Sequence, residues 1–81
     1  KLMKLQIDVG NEKKQIIAGI KTSYEPAELI GKQIIIVNNL EPREFKAVGL
    51  TSYGMLLAAE SEEGPILLTA DKKAKAGAKI K

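Results

Sequence analysis

The amino-acid sequence predicts an all-β fold with one short helix. Apolar and polar side chains alternate from Met3 to Val9, which is the period-two pattern of a strand with one buried face. The segment Gln33–Val37 is rich in isoleucine and valine, as expected of a strand that is buried on both faces. The remaining apolar stretches are equally short, and glycine, proline and asparagine separate them.

The first half of the chain contains a predicted hairpin and the helix. Gly10–Lys13 is typical of a turn, and extended structure resumes at Gln15–Ile20, so these segments form a hairpin with the first strand. Tyr24–Ile30 is predicted to be the helix, because Pro26 fits its first turn and Gly31 is a natural terminating residue.

The second half is predicted to contain an irregular connection and a second hairpin. Residues 38–46 combine turn residues, a proline and two cations, which indicates a connection with exposed charge. Gly54 suits either a positive φ or the close approach of another segment. Met55–Glu60 follows as a strand, and its apolar first part predicts burial. Ile66–Thr69 pairs with it across a turn at residues 61–65.

Composition narrows the possible functions. The chain has 81 residues, which is enough for one domain near the lower limit of what a single core stabilises. It lacks cysteine and histidine, so thiolate sites and the usual general base near neutral pH are excluded. No apolar run approaches the roughly 18 residues of a membrane span. We therefore expect a cytoplasmic, non-catalytic domain with no cofactor, no metal and no membrane partner.

Charge is distributed unevenly along the chain. The net charge is +3, but residues 71–81 contain five lysines and one aspartate, a local charge of +4. The other seventy residues carry eight basic and nine acidic side chains, a charge of −1. Overall charge therefore does not establish a nucleic-acid partner, and the positions of individual charges must decide.

Three segments together resemble the tRNA-binding domain family: Ser52–Ala59, Asn38–Arg43 and Gln15–Ile20. This family includes the C-terminal appended domain of methionyl-tRNA synthetases, a free-standing bacterial tRNA-binding protein and the endothelial-monocyte-activating polypeptide. The resemblance implies an oligonucleotide-binding (OB) barrel of five strands and one helix. It spans residues 1–81 as one tRNA-binding domain with a basic closing segment at 71–81. The family's first strand has no counterpart here, since Lys1-Leu2 aligns with the start of the second.

Arg43 and Lys46 are the first candidate tRNA contacts. They lie three residues apart, so both are expected to reach one phosphate groove. On spacing alone, solvated charges balanced by Glu41 and Glu44 are the favoured interpretation. Family members place basic residues in the corresponding segment, and the resemblance therefore favours RNA contact.

The other candidates flank this pair in the sequence: Asn38, Asn39, Ser52, Tyr53 and Met55. The two asparagines either hydrogen-bond RNA or cap the end of the strand. The resemblance places Ser52 and Met55 in the cleft where tRNA binds, although a turn hydroxyl and a core methionine are the ordinary roles of such residues. Tyr53 departs from the family pattern, and it either stacks on a base or packs in the core.

The implied function is general tRNA binding without anticodon reading. Three aromatic residues cannot form a broad stacking platform, so recognition of shape and backbone is expected. As an appended module, the domain would raise the tRNA affinity of a fused or associated methionyl-tRNA synthetase catalytic domain. The alternative is a dimerisation or protein-interaction module of a synthetase complex, and self-association of family members predicts a homodimer.

Overall fold

The computed structural model describes residues 2–81 and confirms an all-β fold with one short helix. The strands are β1 (Met3–Asp8), β2 (Lys13–Ala18), β3 (Ile36–Val37), β4 (Arg43–Phe45), β5 (Leu50–Ser52), β6 (Met55–Leu56), β7 (Ala58–Ser61) and β8 (Gly64–Leu67), and the helix is α1 (Pro26–Leu29). They form four antiparallel pairs, β1–β2, β3–β6, β4–β5 and β7–β8. The alignment predicted for Lys1 lies outside the described residues.

The predicted first hairpin is confirmed. β1 and β2 pair in register from Met3↔Ala18 to Asp8↔Lys13. At the turn, the Asp8 carboxylate accepts a hydrogen bond from the Gly10 amide at 2.8 Å, and Gly10 takes a φ of +102°. The predicted alternation is also present, since Lys4 and the other polar side chains of β1 face outward.

The hydrophobic core is built around β2. Ile16, Ile17 and Ala18 are all buried, so this strand is covered on both faces. Met3 and Ile20 complete the buried apolar set. Besides its partner β1, β2 contacts β5 and β6, which brings the second half of the chain onto the first hairpin.

Two predictions in the first half were wrong in extent. The helix occupies Pro26–Leu29 instead of Tyr24–Ile30, because Ile30 adopts an extended conformation and is 85% exposed. The strand predicted at Gln33–Val37 is regular only at Ile36–Val37, and none of its residues is fully buried. It pairs with the two residues of β6, so few backbone groups enter a ladder.

The irregular connection predicted at residues 38–46 is present at residues 38–42, and its charged side chains are exposed, but the prediction was wrong over Arg43–Phe45, which form β4. β4 pairs with β5, with Arg43 opposite Ser52 and Phe45 opposite Leu50. Gly49 closes the hairpin with a φ of +66°, a conformation that glycine adopts without steric cost. A charged three-residue strand gives no alternation signal, which is why the pairing is absent from the sequence pattern.

The strand predicted at Met55–Glu60 divides at Leu57. Its first part pairs with β3 and its second part with β8, so the chain changes partners between them. The Leu57 amide donates to the carbonyl of Ile35 at 2.9 Å. The predicted burial is wrong for Met55, which is 49% exposed at the edge of this switch. The second hairpin is present, but its return strand begins at Gly64 instead of Ile66.

The basic closing segment, residues 71–81, lies against two parts of the domain. The Gln33 side-chain amide donates to the Ala74 carbonyl at 2.6 Å and accepts from the Ala74 amide at 2.9 Å. Gly77 lies against the β1–β2 turn, where a Cβ would collide with the carbonyl oxygen of Val9. Within residues 2–81, no helix is long and apolar enough to cross a membrane.

Truncation after Ala70 is expected to lower the thermal midpoint, because it removes both contacts of the closing segment. Gln33→Ala should cost about 1–3 kcal/mol, since it deletes two hydrogen bonds of roughly 0.5–1.5 kcal/mol each. Gln6→Ala on the exposed face of β1 is the matched control and should stay within about 0.5 kcal/mol. Thermal denaturation measures the midpoint of the truncated chain and of the two point variants. An unchanged midpoint after truncation would show that the closing segment contributes nothing to stability.

Candidate nucleic-acid interface

Four hydrogen bonds attach the segment Thr51–Gly54 to β2, one from the Lys14 ammonium to the Tyr53 carbonyl and three that involve Gln15 and Ile17. The Gln15 side chain donates to the Thr51 carbonyl at 3.0 Å, and the Tyr53 amide donates to the Gln15 carbonyl at 2.9 Å. The Ile17 amide donates to the Ser52 hydroxyl at 2.8 Å. Backbone groups of a buried strand need such partners, and β2 finds them in this segment on the side away from β1.

Ser52 is buried and fixes the β5–β6 turn, residues 53–54, through its side chain. It is 4% exposed, and it is the one buried polar residue among residues 2–81. Its hydroxyl accepts from Ile17 and donates to the Gly54 carbonyl at 2.9 Å. The Ser52 hydroxyl therefore both accepts and donates a hydrogen bond within the protein, and its role in this structure is to fix the backbone of residues 52–54.

Gly54 allows β3 to approach the turn. A Cβ at this position would lie 3.3 Å from the carbonyl oxygen of Val37 and 3.4 Å from the Ile16 side chain. Gly54 is absent from the glycines with positive φ. A side chain at this position would therefore crowd β3, which supports close approach, one of the two roles predicted for this glycine.

Tyr53 presents its side chain at the surface. The residue is 44% exposed, while its backbone amide and carbonyl are both hydrogen-bonded. Its amide bonds to Gln15, and its carbonyl accepts from the Lys14 ammonium at 3.2 Å. An aromatic ring on a fixed backbone is suited to stacking on a base.

Lys14 contacts two of the candidate residues, and sequence reasoning missed it. Its ammonium donates to the Asn38 side-chain oxygen at 2.7 Å and to the Tyr53 carbonyl, so it joins two candidate residues. A signal was available, because Lys14 is in phase with Ile16 and Ala18 on the buried side of β2. A lysine at such a position needs polar partners.

Arg43 and Met55 line one groove. The Arg43 guanidinium carbon lies 4.6 Å from the centre of the Phe45 ring, so the cation is stacked at the surface. The groove has a volume of about 430 Å³, and Ile17 and Ile20 contribute to its apolar lining. Its described lining residues are all apolar except Arg43, which supplies a positive charge.

Contacts in the structure join some of the seven candidate residues but not all of them. Arg43 and Met55 share the groove, and Lys14 connects Asn38 to Tyr53. Asn39 is exposed beside Asn38, whereas Lys46 begins the turn of the β4–β5 hairpin and does not line the groove. No group of three or more metal-binding side chains occurs in the described part of the chain.

Comparison with known proteins identifies related sequences and structures. Residues 1–79 match the family described as "Putative tRNA binding domain". The chain is 51% identical over 82 residues to methionine–tRNA ligase of Methanocaldococcus jannaschii, covering 100% of this chain and 12% of that protein. The chain thus spans a small part of this relative's length.

The solved structures that share the fold include the following two. A MetRS related protein from Pyrococcus horikoshii superposes with a TM-score of 0.86 at 42% identity, covering 99% of this chain and 72% of that one. A CsaA chaperone protein from Picrophilus torridus gives a TM-score of 0.89 at 35% identity, with coverage of 99% and 73%.

Ser52→Ala is expected to destabilise the domain by about 1–3 kcal/mol, because it leaves the buried Ile17 amide without a partner. For a domain of this size, each kcal/mol lowers the midpoint by roughly 4–8 °C. Ser61→Ala is the matched control: its hydroxyl bonds within the β7–β8 turn, where water replaces it more easily. Equal midpoints for the two variants would contradict the supporting role of Ser52.

Proposed function

This chain belongs to the tRNA-binding domain family, and from that premise we propose that it binds tRNA through the surface carrying Arg43, Tyr53 and Met55. The observation that carries the proposal is the fastening of residues 51–54 to β2 beside exposed Tyr53 and Met55. RNA-binding surfaces combine cations for phosphates with flat or apolar groups for bases. This surface offers both on a fixed backbone.

Each candidate has a role in this proposal. Arg43 and Lys46 contact phosphates, because both cations are exposed. Stacking on Phe45 limits the rotamers of Arg43 before RNA arrives. Met55 supplies apolar contact surface, and Tyr53 supplies an aromatic ring for stacking on a base.

The amide side chains and the buried serine complete the assignment. Asn38 and Asn39 are exposed and offer hydrogen bonds to RNA. The Asn38 oxygen is directed by Lys14, which leaves its amide nitrogen for an acceptor. Ser52 acts indirectly by positioning Tyr53 and Met55.

The proposed recognition is general instead of anticodon-specific. With three aromatic residues, the domain reads tRNA shape and backbone. In a synthetase, such contacts would raise the effective concentration of the acceptor end at a catalytic domain elsewhere in the protein. The domain itself would be non-catalytic and would work in the cytoplasm.

A second candidate function is dimerisation or another protein interaction. The apolar lining of the 430 Å³ groove favours it, since a partner would cover Met55 and neighbouring side chains. A homodimer would also present two tRNA surfaces. Sedimentation and tRNA binding together separate these functions. A monomer that binds tRNA supports the first, and a dimer that ignores tRNA supports the second.

Arg43→Ala and Lys46→Ala should each weaken binding of different tRNAs about equally. Each lost phosphate contact should reduce the magnitude of the salt slope by roughly 0.7–0.9. Lys4→Ala, an exposed cation on β1, is the matched control and should leave the slope unchanged. Fluorescence anisotropy at several salt concentrations measures these values. Parent-like binding by a folded Arg43 variant would show that the proposed surface is wrong.

Tyr53→Ala should weaken tRNA binding by about 1–3 kcal/mol, the usual loss for one stacked base. Tyr53→Phe keeps the ring and should bind nearly as tightly as the parent. Neither change should alter the salt slope, because no charge is lost. If both variants lose the same affinity, the hydroxyl rather than the ring makes the contact.

A further inference from the structure

A second concave site lies between the end of the helix and the closing segment. Its volume is about 300 Å³, and it shares no lining residue with the Arg43 groove. Three lysines border it, Lys32, Lys72 and Lys73, against a single acidic side chain, Asp71. The rest of the lining is mostly uncharged, so the site concentrates positive charge in a domain whose first seventy residues carry −1.

The walls of this site are held by long-range hydrogen bonds. The Gln33 side chain makes two hydrogen bonds to the backbone of Ala74, at 2.6 and 2.9 Å, and thereby anchors the chain next to Lys73. On the opposite wall, the Tyr24 hydroxyl accepts from the Leu67 amide at 3.1 Å. The backbone that carries Lys72 and Lys73 is therefore hydrogen-bonded to the domain, which a free basic tail would not be.

Tyr24 also orients one of the cations. The Lys32 ammonium lies 5.5 Å from the centre of the Tyr24 ring, within cation–π range. This contact keeps the ammonium at the site, although Lys32 is exposed. Fewer rotamers are then lost when an anion binds.

We propose that this site binds a phosphate of the RNA backbone, giving the tRNA a second attachment point apart from the Arg43 groove; the inference rests on the proposed tRNA-binding function. Three ammonium groups match the several acceptor oxygens of a phosphate. Lys75 and Lys79 follow in the same segment of the chain, so positive charge continues along the sequence beyond the site, as binding to an extended nucleic-acid backbone requires. A backbone phosphate is therefore favoured over a free anion.

The test compares two triple variants that remove the same charge. One replaces Lys32, Lys72 and Lys73 with glutamine, and the control replaces Lys4, Lys13 and Lys21, which are exposed elsewhere on the domain. Losing one phosphate contact should weaken tRNA binding by about eightfold at 0.1 M salt and lower the salt slope by about 0.9. The control should lose clearly less, because its lysines lie outside the site. Thermal melts establish that both variants are folded.

Asp71→Asn gives an independent test that removes no lysine. It eliminates the one acidic group of the site, so tRNA binding should tighten and the salt slope should steepen. If the lysine triple variant does not fold, Asp71→Asn still tests whether this site contacts tRNA. Unchanged or weaker binding by Asp71→Asn would overturn the proposal.

The remaining outcomes separate this inference from the proposed function. Equal losses in the two lysine triple variants would overturn it, because only general charge would then matter. Amide shifts at Lys32 and Leu67 with inorganic phosphate, without a tRNA effect of the variants, would indicate a free-anion site and also overturn it. If Arg43→Ala weakens binding and the lysine triple variant does not, the second site alone fails. A parent chain that binds no tRNA refutes both proposals.

Discussion

The attachment of residues 51–54 to β2 is the constraint on which the rest of the structure depends. β2 uses one edge for β1, and its remaining backbone groups reach Ser52 and Tyr53 across a long sequence separation. Because an unpaired amide in a buried strand is costly, this side of β2 must be closed by something polar. The Ser52 hydroxyl meets that need and at the same time fixes the turn. The side chain of Tyr53 is consequently exposed on a backbone whose amide and carbonyl are both hydrogen-bonded, and Met55 lines the Arg43 groove.

The small core explains why polar contacts carry so much of the architecture. In the described part of the chain, five apolar residues are buried, all in or next to the first hairpin, and Ile16 is completely inaccessible. A domain of 81 residues buries a modest fraction of its surface, so hydrogen bonds between distant segments gain importance. Among residues 2–81, every buried side-chain nitrogen or oxygen has a partner. The closing segment is held by contacts of the same kind. Gln33 hydrogen-bonds to it, and Gly77 packs closely against Gly10.

Function in such a domain resides in the side chains that the scaffold displays. The same fold occurs in proteins of different description, so the fold alone does not assign an activity. Here the two concave surfaces differ in chemistry: one is apolar apart from Arg43, and the other is bordered by Lys32 and the lysines of the closing segment. Net charge conceals this arrangement, because the acidic residues elsewhere nearly cancel the cations. Positive charge is therefore significant at particular positions and not as a total.

The sequence by itself determined the all-β class, the first hairpin and the family, since local alternation and short motifs carry that information. It did not reveal the β4–β5 hairpin, the break of the strand at Leu57, the exposure of Met55 or the link made by Lys14. These features depend on contacts between segments far apart in the chain. Exposure of Met55 and burial of Ser52 run against their residue types, and only the packing of residues 51–54 on β2 decided them. Periodicity describes one strand at a time, whereas burial depends on which other strand covers it.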